Sequence, residues 1–177
     1  MTITEIRTNF SNTIAAWKEA PASYSDAQFS LQPAAGSWSA GQVCQHLIGS
    51  TRRIFAVIRK CQSGSVNEHE QKTEAGEKAF ATNILSEVKV KMPITVQAAP
   101  GQPQSRGWVE QEFTDIEENF YHLCDMLSKS TGAGKEKHPV LGYLNAAEWL
   151  QSVEMHFRHH LKQKAEIDAF LKRQASH

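Results

Sequence analysis

Four long segments with apolar residues at helical spacing constrain this chain more than any other feature of its sequence. The apolar stripes occupy positions 3–17, 43–61, 109–127 and 146–171. Each follows the 3.6-residue period of a helix that buries one face. Capping-box spacing supports the first two starts, with Thr2 and Glu5 at one helix and Ser39 and Gln42 at the next. Because no convincing strand pattern accompanies these stripes, the sequence predicts an all-α protein built as a four-helix bundle.

A long connection separates the second predicted helix from the third. Glycine and proline residues punctuate positions 62–107, which show no clear period. A link of this length allows a bundle with one long crossover connection, in which the second and third helices need not be antiparallel neighbours. The chain has 177 residues, of which 40% are hydrophobic, and this is enough for one core. We therefore predict a single domain over 1–177, with 62–107 as a connection of undefined structure.

Charge and cysteine content exclude several classes of protein. Lys and Arg (19) balance Asp and Glu (19), so no net field attracts nucleic acid or an anionic membrane. The N-terminus lacks the pattern of a signal peptide, and no apolar run approaches the ~20 residues that cross a bilayer. The three cysteines are Cys44, Cys61 and Cys124, and their number and spacing indicate neither a disulfide framework nor a cysteine zinc site. A cytoplasmic protein with buried thiols is expected.

Histidine is concentrated in the fourth predicted helix, where His156, His159 and His160 lie close together. With His160 set at zero on a helix of 3.6 residues per turn, His156 falls at about −40° and His159 at about −100°. The apolar positions Trp149 and Val153 lie within about 20° of His160. His156 and His160 therefore face the core, whereas His159 lies at the edge of the stripe.

Two imidazoles on a core face must find partners, because an unpaired buried ring nitrogen costs ~1–3 kcal/mol. At the i and i+4 spacing of His156 and His160 they can share one metal ion, and imidazole suits zinc, nickel, copper and iron. The alternative is a pair of core histidines that bond to waters or to other side chains. A third ligand has to come from another helix, where His46 lies about 80° from the centre of its stripe. That flank position neither demands nor excludes metal binding, and alone it is typical of a boundary histidine.

Two motifs resemble those of the DinB/YfiT-like superfamily. Trp38-Ser-Ala-Gly-Gln-Val-Cys-Gln-His46-Leu is similar to the family's first metal motif, in which a Trp-Ser helix start precedes a His-Leu pair. His138-Pro-Val-Leu-Gly-Tyr-Leu, a Glu-Trp helix start and His156-Phe-Arg-His-His-Leu-Lys-Gln are similar to its C-terminal signature. The motifs occur in the correct order along the chain, and only 62–107 is without support.

The resemblance implies an up-down-down-up bundle that holds one divalent metal ion, often in a homodimer. Carried over residue by residue, the metal ligands fall on His46, His156 and His160, and zinc or nickel is the expected ion. Members of the superfamily include metal-dependent hydrolases and thiol-dependent S-transferases that use low-molecular-weight thiols. The DinB label refers to DNA-damage induction and implies no nucleic-acid binding. We expect a metal-dependent hydrolase acting on a small molecule, with an S-transferase or a non-catalytic metal-binding dimer as alternatives.

Other polar residues near the predicted ligands have weaker signals, and none is assigned as catalytic. Gln163, at about −60° on the same helix, is placed to orient a ligand, and His159 is a candidate for a supporting contact. Glu154 points off the core face and is interpreted as a solvated carboxylate. His138 precedes a proline in a connector, and a surface role is expected for it. Trp38 is interpreted as a core or interface residue.

Overall fold

The structure is a computed structural model that describes residues 1–64, 66–85, 100–130 and 132–175. These residues form six α-helices, one short 3-10 turn and a two-stranded sheet. The helices are α1 (Ile3–Lys18), α2 (Asp26–Ser30), α3 (Ala40–Gln62), α4 (Glu74–Thr82), α5 (Arg106–Leu127) and α6 (Ala146–Ala175), and the strands are β1 (Lys135–His138) and β2 (Gly142–Asn145). The protein is mostly helical, as predicted, and the four predicted stripes lie on α1, α3, α5 and α6.

Side-chain caps fix where the long helices begin. At the start of α3, Oγ of Ser39 accepts from the backbone N–H of Gln42, and Oε1 of Gln42 accepts from the backbone N–H of Ser39. Asn145 and Glu148 exchange equivalent bonds of 2.9 Å at the start of α6. Each pair satisfies two N–H groups that have no partner inside the helix. The starts that the sequence predicted for these helices are therefore confirmed.

Aromatic residues fill the centre of the core between the long helices. Helices α1 and α3 each pack against both α5 and α6. Phe10 of α1 stacks on Phe120 of α5 with ring centroids 3.8 Å apart, and its edge meets Phe157 of α6 at 5.4 Å. All three rings are fully buried, and each contributes roughly 1.5–3 kcal/mol through removal of apolar surface from water. The three cysteines are also buried and unpaired, as predicted.

A small β-hairpin precedes α6, and the sequence analysis did not predict it. Strands β1 and β2 pair antiparallel, with Lys135 opposite Asn145 and His138 opposite Gly142. The segment before α4 adds to the hairpin, because Tyr143 N–H donates to the carbonyl of Gln71 at 3.1 Å. Strands of four residues are too short for alternation to be recognised in a sequence.

The predicted connection at 62–107 contains the helix α4. Its residues 65 and 86–99 lie outside the described part of the chain. Asn83 ends α4 in the left-handed conformation, with φ of 54°, and is held against α6. Its side chain accepts from Nε2 of Gln151 at 2.9 Å, and its carbonyl accepts from Arg158 at 2.7 Å. The described part of the connection therefore packs on the helix that carries the histidine pair.

None of the described helices combines the length and the apolarity that a membrane span needs.

Candidate metal centre

Three imidazole rings from two helices meet between α3 and α6. The Nε2 atom of His156 lies 3.0 Å from Nε2 of His46 and 3.1 Å from Nε2 of His160. One ligand atom from each ring lies within 4.8 Å of the other two. Helix α3 supplies His46, and α6 supplies the other two from consecutive turns. The structure thus brings together the three histidines that the sequence analysis selected.

The surroundings keep these rings neutral. Burial, together with the smaller effect of the nearby positive charge of Arg53, lowers the pKa of His46 to about 4. Burial also lowers the pKa of His160 to about 4, although its hydrogen bond to Gln163 acts in the opposite direction. The pKa of His156 falls well below its usual range because the ring is buried and faces other imidazoles. Neutral imidazole is the form that binds metal ions.

Hydrogen bonds at the far side of two rings set which nitrogen carries the proton. Nδ1 of His160 lies 2.9 Å from Oε1 of Gln163, which only accepts, so Nδ1 is the protonated nitrogen. Nδ1 of His156 lies 3.4 Å from Oγ of Ser50, whose hydroxyl already donates to the carbonyl of His46 at 2.7 Å. The Nε2 lone pairs of His156 and His160 therefore both point into the centre.

This donor set fits a divalent metal ion. Two Nε2 lone pairs that face each other at 3.1 Å repel, and a shared cation relieves this repulsion. Nitrogens bound tetrahedrally at 2.0–2.1 Å lie about 3.3 Å apart, close to the distances of 3.0 and 3.1 Å from Nε2 of His156 to the Nε2 atoms of His46 and His160. Three histidines with zinc- or nickel-compatible nitrogen donors also leave at least one coordination position for another ligand.

Trp38 and Ser50 belong to the site, and the sequence analysis gave neither of them this place. The ring of Trp38 lies 5.0 Å from that of His46 and stacks over His160 at 6.4 Å, so it shields one side of the cluster. Ser50 stands four residues after His46, on the same face of α3. That spacing was the only sequence signal for it, while Trp38 was interpreted as a core or interface residue.

The other polar residues that the sequence singled out differ in how close they lie to the three histidines. Gln163 contacts His160 as described. His159 is exposed, and its ring lies 5.3 Å from that of His160. The surface role expected for His138 is wrong, because this half-buried ring accepts from the backbone N–H groups of Val140 and Leu141 at 3.1 and 3.0 Å.

The interpretation of Glu154 as a solvated carboxylate is also wrong. Glu154 is 1% exposed. Its Oε1 accepts from Oγ1 of Thr13 at 3.1 Å and from Nε of Arg158 at 2.8 Å. The face of α6 that turns away from the histidines is covered by α1, so the carboxylate is an internal structural link between the two helices.

The match to a protein family covers most of the chain. A family model described as the DinB superfamily matches residues 5–163, a range that includes all three clustered histidines. No curated protein matches the chain. By the extent of the family match, this chain belongs to the DinB superfamily.

Proposed function

We propose that this protein binds one divalent metal ion, zinc or nickel, through His46, His156 and His160, and acts as a metal-dependent hydrolase on a small molecule. The observation that carries the proposal is the convergence of three neutral imidazoles whose Nε2 atoms lie 3.0 and 3.1 Å apart. Membership of the DinB superfamily supports it. Three protein ligands leave room for an exogenous ligand, as in catalytic sites.

The protein's own groups hold and shield the site. Gln163 fixes the ring of His160, and Ser50 contacts the far nitrogen of His156. Trp38 covers His46 and His160 on one side and excludes water there. A bound divalent ion would supply Lewis-acid chemistry, which activates water or a thiol near neutral pH.

An S-transferase is the second candidate, and the all-histidine composition of the described cluster favours it. Within the described residues the metal-competent cluster consists of histidines alone. Hydrolysis generally benefits from a base positioned near the attacking water. A thiol needs no separate base, because coordination to a metal ion removes its proton.

Elemental analysis of the purified full-length chain tests metal binding. We expect about one zinc or nickel ion per chain, and loss of that ion in each of the variants His46→Ala, His156→Ala and His160→Ala. His69→Ala is the matched control, because the His69 side chain is 94% exposed, and it should retain the metal. Full metal content in His160→Ala would reject the ligand assignment.

Activity assays separate the enzyme from a purely metal-binding protein. Esterase, amidase and thiol-transfer substrates should be tested on the metal-loaded wild type and on the triple histidine variant. Turnover that disappears in the triple variant supports an enzyme, and the responding panel distinguishes hydrolysis from thiol transfer. Equal background in both proteins would favour the non-catalytic alternative.

We also propose the up-down-down-up order of α1, α3, α5 and α6. Pairs of contacts support it. Arg7 with Asp125 and Lys18 with Glu117 indicate that α1 and α5 run in opposite directions. The contacts of α3 run from His46 with His156 of α6 to Cys61 with Leu144 of β2, the strand that leads directly into α6, which indicates opposite directions as well. The homodimer and the cytoplasmic location stay predictions, and sedimentation equilibrium tests the first of them.

A further inference from the structure

Arg53 lies on the same face of α3 as His46, two helical turns further along. Each residue of a helix rotates by about 100°, so position 53 lies within about 20° of the direction of position 46 around the axis of α3. The Arg53 side chain is exposed and folds back along the helix, because its Nη1 atom lies 3.7 Å from the position a Cβ would take at Gly49. The guanidinium therefore lies beside Gly49, on the side of Arg53 that is nearer to His46 along α3.

Gly49 leaves space beside the cluster. It stands three residues after His46. Among the described residues outside the helix's own backbone, only Arg53 Nη1 lies within 4 Å of the position a Cβ would take at Gly49. Trp38 covers His46 and His160 by ring contact. In the part of the chain that the structure describes, no ring covers Gly49 in this way, and the guanidinium of Arg53 lies over it.

The charge of Arg53 is not neutralised by the neighbours that the structure describes. Arg52 pairs with Glu112, and Arg158 pairs with Glu154. Among the described residues, no hydrogen-bond or ion-pair partner reaches the guanidinium of Arg53. Its Nη1 atom lies beside Gly49, which stands three residues after His46 on α3. An uncompensated guanidinium beside a half-buried polar site is suited to bind an anion from solution.

We propose that Arg53 makes the three-histidine site selective for small anionic ligands that carry a carboxylate. The inference rests on the proposed metal site, since the ligand would occupy the open coordination position with one group while a carboxylate meets the guanidinium. A planar carboxylate matches the two parallel N–H groups of arginine better than it matches lysine. Arg53 is thus a specificity-determining residue at the entrance beside Gly49.

The test uses cobalt-loaded full-length protein, in which ligand binding changes the visible spectrum. Succinate is the anionic probe and imidazole is the neutral probe. Arg53→Gln should raise the Kd of succinate about tenfold, the loss expected for one charge-assisted hydrogen bond, and change that of imidazole by less than about twofold. The Kd of succinate for Arg53→Lys should lie between the values for the wild type and for Arg53→Gln.

The controls separate this inference from the proposed metal site. Arg59→Gln removes an exposed arginine from another face of α3 and should leave both Kd values unchanged. Equal weakening of succinate and imidazole by Arg53→Gln, or no weakening of succinate, would overturn the role of Arg53 while cobalt content stays at one per chain. Failure of the wild type to take up cobalt would overturn the metal site itself, and the inference with it.

Discussion

The Nε2 atom of His46 lies 3.0 Å from the Nε2 atom of His156, although 110 residues separate them along the chain. This contact joins α3 to α6 and depends on the packing of the whole core. The other contact, between His156 and His160, comes from the helical period alone. The site therefore combines a local pair, which α6 preforms, with a distant ligand that only the folded protein supplies.

Removal of the hydrogen bond behind His160 should weaken metal binding without abolishing it. Gln163→Ala deletes the acceptor 2.9 Å from Nδ1 of His160, so the ring loses the contact that orients it. Loss of such a contact typically costs 10–100-fold in metal affinity. We expect that increase in Kd in a chelator competition, with about one ion per chain at saturation. Glu166→Ala, at an exposed position of the same helix, is the control, and equal affinities in the two variants would contradict the role of Gln163.

The histidine pair was predictable from the sequence, whereas the third ligand needed more than periodicity. Rotation about α6 places His156 and His160 on the core stripe, because both belong to one rigid helix. The same rotation puts His46 on a flank of α3, and only the packing angle between α3 and α6 turns that flank toward the pair. The family resemblance identified His46 because it carries information on tertiary structure that a single helix lacks.

The errors in the sequence analysis also have physical causes. Glu154 faces away from the main stripe of α6, but α1 packs on that side and buries it. A helix that packs against two neighbouring helices buries more than one face, so a single apolar stripe does not identify all of its buried residues. His138 belongs to a hairpin whose strands have four residues each, too few to produce a recognisable alternation.

The link between Glu154 and Arg158 should be important for stability. Arg158→Met leaves the carboxylate, which is 1% exposed, without its cation. Breaking a buried ion pair costs about 3–5 kcal/mol, and partial exposure of the arginine reduces this to roughly 2–3 kcal/mol. Urea denaturation should register this loss in the free energy of unfolding.

A double variant distinguishes an uncompensated charge from lost packing. Arg158→Met combined with Glu154→Leu removes both charges and should recover most of the stability, since apolar replacement of a buried pair is often neutral. If the double variant is as unstable as Arg158→Met alone, the loss comes from packing or from the lost hydrogen bond to the carbonyl of Asn83, and the unpaired carboxylate is not its cause.

Protonation of His138 should contribute to unfolding at acidic pH. Burial lowers the pKa of His138 from 6.5 to about 4, and the neutral Nδ1 accepts two backbone N–H groups. Between these two pH values the unfolded chain binds a proton that the folded chain does not, so the free energy of unfolding falls as pH decreases from 6.5 to about 4.

His138→Asn isolates this contribution, because asparagine keeps a side-chain acceptor for the turn and does not titrate. Chemical denaturation at several pH values should show a shallower loss of stability in the variant below pH 6.5, the ordinary pKa of the ring. The clustered histidines titrate in both proteins, and their effect cancels in the comparison. If the free energy of unfolding depends on pH in the same way in the variant and the wild type, protonation of His138 does not contribute to unfolding at acidic pH.

Gly142→Ala should destabilise the hairpin that precedes α6. Gly142 has φ of +81°, and an added Cβ would lie 2.5 Å from the backbone nitrogen of Thr73. The left-handed backbone conformation alone costs about 1–3 kcal/mol for a residue with a side chain. The collision of the added Cβ with Thr73 would also push β2 away from the segment before α4. Gly101→Ala is the matched control, because a Cβ there meets no described atom within 4 Å, and it should change stability by less than about 0.5 kcal/mol. A thermal or urea transition of Gly142→Ala that coincides with that of Gly101→Ala would mean that the close approach of Thr73 to the hairpin does not persist in solution.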